Sequence, residues 1–131
     1  MARAVMEGAT LGLAYGLNRF RELGIEPTEI RLTGGGSKSS VWRQICADIF
    51  GVPTVCLQSA EGAALGAAIQ GAYTCMIAHG QQATFRDLCS RIVKLDDSTR
   101  SEPNLDHKGT YTQLLTRQGD LTRRLHVAGY L

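Results

Sequence analysis

A chain of 131 residues is one domain or a piece of one, and a hydrophobic fraction of 44% argues for a packed fold over disorder. Aromatic residues reach only 6% while the 15 glycines exceed the usual share of about 7%, which suits closely packed helices and tight ligand loops better than a large aromatic core. Fourteen Lys and Arg against 12 Asp and Glu leave a formal charge of +2, spread along the chain with Arg123-Arg124 as its longest basic run, so nucleic acid is excluded as a partner class.

Residues 2–23 carry helical spacing, with Met6, Ala9, Leu13, Leu17 and Phe20 recurring at intervals of three or four. Gly24 and Pro27 supply the stop. Inside this helix Gly8, Gly12 and Gly16 recur every fourth residue, each costing about 1 kcal/mol of helix propensity relative to Ala. Either another backbone packs on that glycine ridge, or the glycines are incidental in a weak helix. A strand is expected over 29–33, running straight into Gly34-Gly35-Gly36 and then a helix over 39–50. Val41, Ile45 and Ile49 form one stripe of that helix, with Trp42 and Cys46 beside it, so its apolar face is wide and mostly buried.

Gly51 and Pro53 end it, and 53–57 reads as a second strand. Ser59 is the expected N-cap of a small-residue helix over 61–77, able to pack close to a sheet. Beyond Gly80 the pattern weakens. Residues 84–89 read as one helical turn or two, 92–95 as a short extended piece and 96–103 as a polar loop. From Asn104 onward Tyr111, Leu114, Leu115, Gln118, Leu121 and Leu125 sketch a terminal helix. The order helix, strand, helix, strand, helix is α/β with a short parallel sheet flanked by helices.

Compartment follows from the cysteines and the apolar runs. Cys46, Cys56, Cys75 and Cys89 include no C-x-x-C pair, so no closed metal site is written. Parity permits disulfides, but small buried thiols of a cytosolic protein are the better reading. The most apolar stretch, 63–69, is interrupted by Gly66 and too short to span a bilayer. Arg3 and Glu7 break the opening apolar residues, so no leader is read there. The expectation is a soluble, cytoplasmic chain with no membrane partner.

A strand that passes through three glycines into a helix is a device for approaching phosphate or nucleotide. Glycines let backbone N–H groups come close, and the helix presents unpaired N–H groups and a positive dipole end. The loop is neither a P-loop nor a dinucleotide fingerprint, since neither spacing fits 34–39. Taken alone, it is as well explained by a plain tight turn.

Its surroundings decide. Leu32-Thr33-Gly34-Gly35-Gly36-Ser37-Lys38-Ser39, followed by Trp42-Arg43-Gln44-Ile45 and Ala47-Asp48, resembles the adenosine-binding segment of the FGGY carbohydrate kinases, and most of all the xylulokinases among them. Glu61-Gly62-Ala63-Ala64-Leu65-Gly66-Ala67-Ala68 is similar to the next helix of that family at the matching separation, and Met6-Glu7-Gly8 fits the element before the loop. The resemblance covers 3–75 well and the rest loosely. It implies part of an actin-like, ribonuclease-H-like ATPase domain, with a core at 3–78 and a tail at 79–131. It further implies that Gly34 permits the turn, that Gly35 and Gly36 approach ATP through their backbones with Ser37 beside them, and that Ser39 stands where relatives often carry an Asn on the adenine edge. Mg²⁺ would come with the nucleotide.

Other residues read as structural. Lys38 is better taken as solvated than as a phosphate ligand, Trp42 as core rather than stacked on adenine, and Asp48 as a structural hydrogen bond or exposed rather than catalytic. His79, His107 and His126 read as surface or loop histidines. The Asp-x-Gly-Thr phosphate loop and catalytic Asp of the family do not appear, and Asp106-His107-Lys108-Gly109-Thr110 has the wrong spacing. The expected parent reaction is ATP-dependent phosphorylation of D-xylulose, the pentulose being held by an N-terminal domain that this chain lacks. The alternatives are a sibling kinase for ribulose, gluconate or another polyol, and a non-catalytic remnant or interaction module. An unpaired strand edge leads to the expectation of a homo-oligomer.

Overall fold

The computed structural model describes residues 1–130. Helix α1 spans Ala2–Glu22, strand β1 Ile30–Leu32, α2 Ser40–Phe50, β2 Thr54–Leu57, α3 Gly62–Ala78, α4 Phe85–Ile92, β3 Leu95–Ser101 and α5 Lys108–Val127. Two 3-10 turns, Gly35–Lys38 and Leu105–His107, lead into α2 and α5. No helix among the described residues is long and apolar enough to cross a membrane. At the end of α1, Gly24 takes φ +81°. That lets Gly24 N–H reach the Arg21 carbonyl at 2.9 Å and Ile25 N–H the Phe20 carbonyl at 3.0 Å. This is the paired-carbonyl helix end that glycine makes available.

The sheet has the order β1-β2-β3. β1 and β2 are parallel, Ile30 opposite Thr54 and Leu32 opposite Cys56, with α2 as their crossover. β3 runs antiparallel to β2, which corrects the expectation of a loop at 96–103. Asp96, Asp97 and Ser98 have weak strand propensity and show no apolar alternation, yet an edge strand needs a buried face on one side only and gains from charge on the other. A register shift between Thr54 and Cys56 interrupts the pairing. There the hydroxyl of Thr99 accepts the Cys56 N–H at 2.9 Å, so the irregularity leaves no orphaned donor.

The core gathers Ala14, Cys46 and Phe50 with Leu17, Ile30, Leu32, Trp42, Ile49, Val52 and Leu115 around them. α1 buries Thr10, Leu11 and Ala14. The stripe expected from spacing is displaced: Leu13 is 63% exposed and Phe20 54%. Nor does any described residue pack on the glycine ridge, because a Cβ at Gly8, Gly12 or Gly16 would meet no atom within 4 Å. Val41 of the α2 stripe is likewise exposed. The small residues of α3 after Gly62 are exposed and Ile69 is its buried residue; the helix instead meets α4, where Tyr73 and Phe85 stack edge to face at 5.7 Å. Its N-cap is Glu61, without a side-chain bond, rather than Ser59. All four cysteines are free, Cys46 and Cys56 buried and Cys75 exposed. Burial pushes the Cys46 thiol up, against the opposing bond to Thr10.

The C-terminal tail is fastened to α2 by the carboxylate of Asp48 and by Gln44 Nε2, which donates to the Glu102 carbonyl at 2.8 Å. Asp48 has a side chain 1% exposed. Its Oδ1 accepts Gln44 Nε2 at 2.8 Å and Asn104 N–H at 2.8 Å, and its Oδ2 pairs with His107 Nδ1 at 2.8 Å. Asp48 is thus the structural hydrogen-bond residue anticipated, and His107, the loop histidine expected, is its partner. Tyr111 closes the other side of α5: its hydroxyl donates to Glu7 Oε1 at 2.9 Å and accepts from Arg3 Nη2 at 3.3 Å. Burial raises the pKa of that phenol.

Two predictions follow from this packing. Asp48→Ala strands several donors around a buried site and should lower unfolding free energy by about 3 kcal/mol in urea titration; a loss below about 1 kcal/mol would show that the tail is held elsewhere. Among the described residues β1 has a partner on one side only, and Leu13, Phe20 and Ile25 stand exposed. We propose that a second copy covers these surfaces. Light scattering at tens of micromolar should give more than the monomer mass, and a monodisperse monomer contradicts the proposal.

Candidate functional site

Between β1 and α2 the chain makes a tight bend whose parts have separable causes. Gly34 sits at φ +86°, ψ −175°, a region open essentially to glycine alone. The 3-10 turn Gly35–Lys38 then closes on it, since Ser37 N–H and Ser37 Oγ both donate to the Gly34 carbonyl, at 3.2 Å and 2.7 Å. Ser39 N–H donates to the Gly36 carbonyl at 3.1 Å. Ser39 is also the N-cap of α2, its Oγ accepting Trp42 N–H at 3.3 Å. Its hydroxyl proton stays available to a ligand, while a lone pair already serves the helix.

The three glycines therefore differ in what they permit. A Cβ at Gly35 would meet nothing within 4 Å and point into open space. At Gly36 it would lie 2.8 Å from Cζ3 and 2.9 Å from Cε3 of Trp42. The bare Cα of Gly36 is thus taken up by the indole. Gly35 and Gly36 open the turn, so their N–H groups have no acceptor within it and can be offered outward. Trp42 is held at its far side, where Nε1 donates to Thr10 Oγ1 at 2.9 Å. Thr10, fully buried, in turn donates to the Met6 carbonyl at 2.8 Å. Trp42 is a packing residue, and Lys38 is exposed at the end of the turn.

The second glycine segment arrives at the same place. A Cβ at Gly62, the first residue of α3, would lie 2.7 Å from Thr33 Oγ1 and 3.4 Å from Leu57 Cδ1. Thr33 immediately precedes Gly34 and Leu57 ends β2, so the loop and the start of α3 meet at the carboxyl ends of the parallel strands. That is where open α/β sheets hold their ligands. Sequence reasoning missed Thr33, Arg43 and Cys56 as parts of this site. Arg43 Nη1 donates to the Ser37 carbonyl at 2.9 Å and the Cys56 thiol lies 3.6 Å from the same oxygen. Thr33 and Arg43 belong to the quoted segment and Cys56 does not, but the contacts of all three depend on how α2 crosses the sheet. Grooves along α5 and between α1 and α5 are lined by other residues. Neither groove includes a residue of the glycine loop; Arg117 and Arg124 line the first, and Arg19 and Arg123 of the second are bonded to Glu22 and Asp120.

The chain is thus an α/β layer with a glycine loop at the carboxyl ends of its parallel strands. Comparison with known proteins shows the class: carbohydrate kinases. Residues 1–75 match the C-terminal domain of the FGGY family of carbohydrate kinases, and the chain belongs to that family. It is 42% identical over 125 residues to the xylulose kinase of Haemophilus influenzae, covering 92% of this chain and 24% of that one. It is 38% identical over 72 residues to the L-fuculokinase of Escherichia coli, covering 54% of this chain and 15% of the other. Among solved structures it is similar to ligand-bound xylulose kinase from Lactobacillus acidophilus (TM-score 0.80, 28% identity, 96% of this chain and 24% of that one). Gluconate kinase from the same species matches almost equally (TM-score 0.79, 28% identity, 95% and 24%). These neighbours are sugar kinases of the actin-like ATPase fold, and the chain spans about a quarter of the length of the relatives it matches.

Alanine at each of the three loop glycines should separate their roles in thermal and urea unfolding. Gly34→Ala should cost about 1–3 kcal/mol through backbone strain. Gly36→Ala should cost about 1–3 kcal/mol by driving a methyl group into the indole, with a shift in Trp42 fluorescence. Gly35→Ala should stay within about 0.5 kcal/mol of the parent. Equal losses at all three positions would contradict the division.

Proposed function

We propose that residues 33–39, with the first turn of α3, form one wall of an ATP site in a kinase whose complete reaction is ATP + D-xylulose to D-xylulose 5-phosphate + ADP. The observation that carries this reading is the open face of Gly35, placed at the strand ends within the segment that matches the kinase family. The loop fits a nucleotide in three respects. The face above Gly35 is unobstructed, two N–H groups at the head of the turn lack partners within it, and the Ser39 hydroxyl has a proton to donate. Backbone donors of this kind read shape and polarity without adding charge, which suits the adenosine half of ATP more than its phosphates. No cluster of three His, Cys, Asp or Glu able to hold a metal occurs among the described residues. Mg²⁺ would therefore arrive on the nucleotide phosphates, as it does where one or two carboxylates suffice, and would neutralise charge on the transferred group.

Phosphoryl transfer also needs a positioned acceptor hydroxyl and a group that orients it. Asp48 is disqualified for that task, being sealed from solvent and already bonded to Gln44, Asn104 and His107. The pentulose and its orienting carboxylate belong, on this reading, to the remainder of the kinase, and this chain alone does not turn over. A cytoplasmic location goes with it. Gluconate is the second acceptor worth testing, because the gluconate kinase of Lactobacillus acidophilus overlays nearly as well as the xylulose kinase.

Calorimetry with ATP tests the site directly. Gly35→Val places a branched side chain in the space assigned to ligand and should abolish binding while the fold is retained. Unchanged affinity in a folded Gly35→Val protein contradicts the assignment. Xylulose 5-phosphate formation by the purified 131-residue chain would contradict the division of labour.

A further inference from the structure

One backbone oxygen is the point at which two other elements take hold of the glycine loop. The Ser37 carbonyl receives Arg43 Nη1 from α2 at 2.9 Å and faces the Cys56 thiol of β2 at 3.6 Å. A carbonyl oxygen has two lone pairs, and both are engaged here. The peptide they fix is coupled to the head of the loop, because Ser37 bonds the Gly34 carbonyl through its N–H and its Oγ. The donors are unequal. A thiol is a weak donor, while a guanidinium makes a charge-assisted bond. The guanidinium has little else to do in this position. Arg43 is half-buried, takes part in no ion pair among the described residues, and its Nε is sealed from solvent without an acceptor. Such a group gives up hydration without a carboxylate to offset the loss. Plain packing would be served as well by an uncharged side chain.

We infer that Arg43 is a positioning residue for the nucleotide loop: by holding the Ser37 carbonyl inward, it keeps the Gly35 and Gly36 N–H groups aimed at the ligand. The inference rests on the nucleotide reading above and adds to it a residue that touches no ligand. Without the guanidinium the loop keeps only the thiol at that oxygen, and the turn can rotate away from its binding geometry while the hydrophobic core is unaffected.

The test compares the parent chain with Arg43→Lys and Arg43→Gln, using ADP as the probe. Calorimetry should show ADP affinity about tenfold weaker in Arg43→Gln, with partial recovery in Arg43→Lys, whose ammonium restores a charged donor without the fork. Hydrogen exchange should speed up at Ser37 and Ser39 amides in Arg43→Gln relative to amides of α2. A purely structural arginine would lower the unfolding midpoint yet leave ADP affinity and relative loop exchange in the folded chain unchanged, and that result overturns the inference alone. Absence of ADP binding by the parent chain overturns the nucleotide reading and the inference with it.

Discussion

The contact between the indole of Trp42 and the bare backbone of Gly36 is the constraint on which the site depends. It sets the height of the loop above α2. Through Nε1 and the buried hydroxyl of Thr10 it also ties the loop to α1. A turn resting on a rigid ring, with its carbonyls bonded to Ser37 Oγ and Arg43, is ordered before any ligand arrives. Preorganisation of this kind reduces the ordering that binding must otherwise bring about. Thr10 itself shows why a polar residue belongs in this core: it satisfies the indole N–H, which would be expensive to bury alone.

Three adjacent glycines usually suggest a flexible segment, and the geometry here says otherwise. One supplies a backbone angle, one makes room for a ring, and one leaves space open. The requirement at Gly34 and at Gly36 comes from the fold. At Gly35 the fold has no use for the missing side chain, and the open space there is what the proposed nucleotide would take. Gly62 adds a fourth case, in which the start of a helix is brought within contact of Thr33 and Leu57. The glycine-rich composition is therefore partly a record of close approaches around one place, and partly, at Gly8, Gly12 and Gly16, of surface with nothing above it among the described residues.

How far the sequence could be read varied along the chain for physical reasons. Residues 29–57 were legible because apolar spacing and glycine or proline punctuation agree there, and the parallel pairing of β1 with β2 follows from a helical crossover of that length. The loop residues Gly34 to Ser39 were located, but their distinct duties depend on Trp42 lying beneath the turn. β3 was not legible, since Asp96 to Arg100 lack apolar alternation and pair through an irregularity that Thr99 repairs. The buried face of α1 was assigned a third of a turn away, because Leu11 and Ala14 are as apolar as Leu13 and only the polar Thr10 marks the true side. His107 and Asp48 are 59 residues apart and belong to no motif, so only the folded chain pairs them.

The central claim is that a loop ordered by its own fold presents Gly35 and Gly36 to a nucleotide. Titrating ADP into the uniformly ¹⁵N-labelled chain and following amide shifts tests it most directly. The account predicts saturable shifts at Gly35, Gly36 and Ser39, with a smaller movement of the Trp42 indole resonance and little change along α5. Saturable shifts confined to the groove between α1 and α5, with the loop amides unmoved, would contradict it.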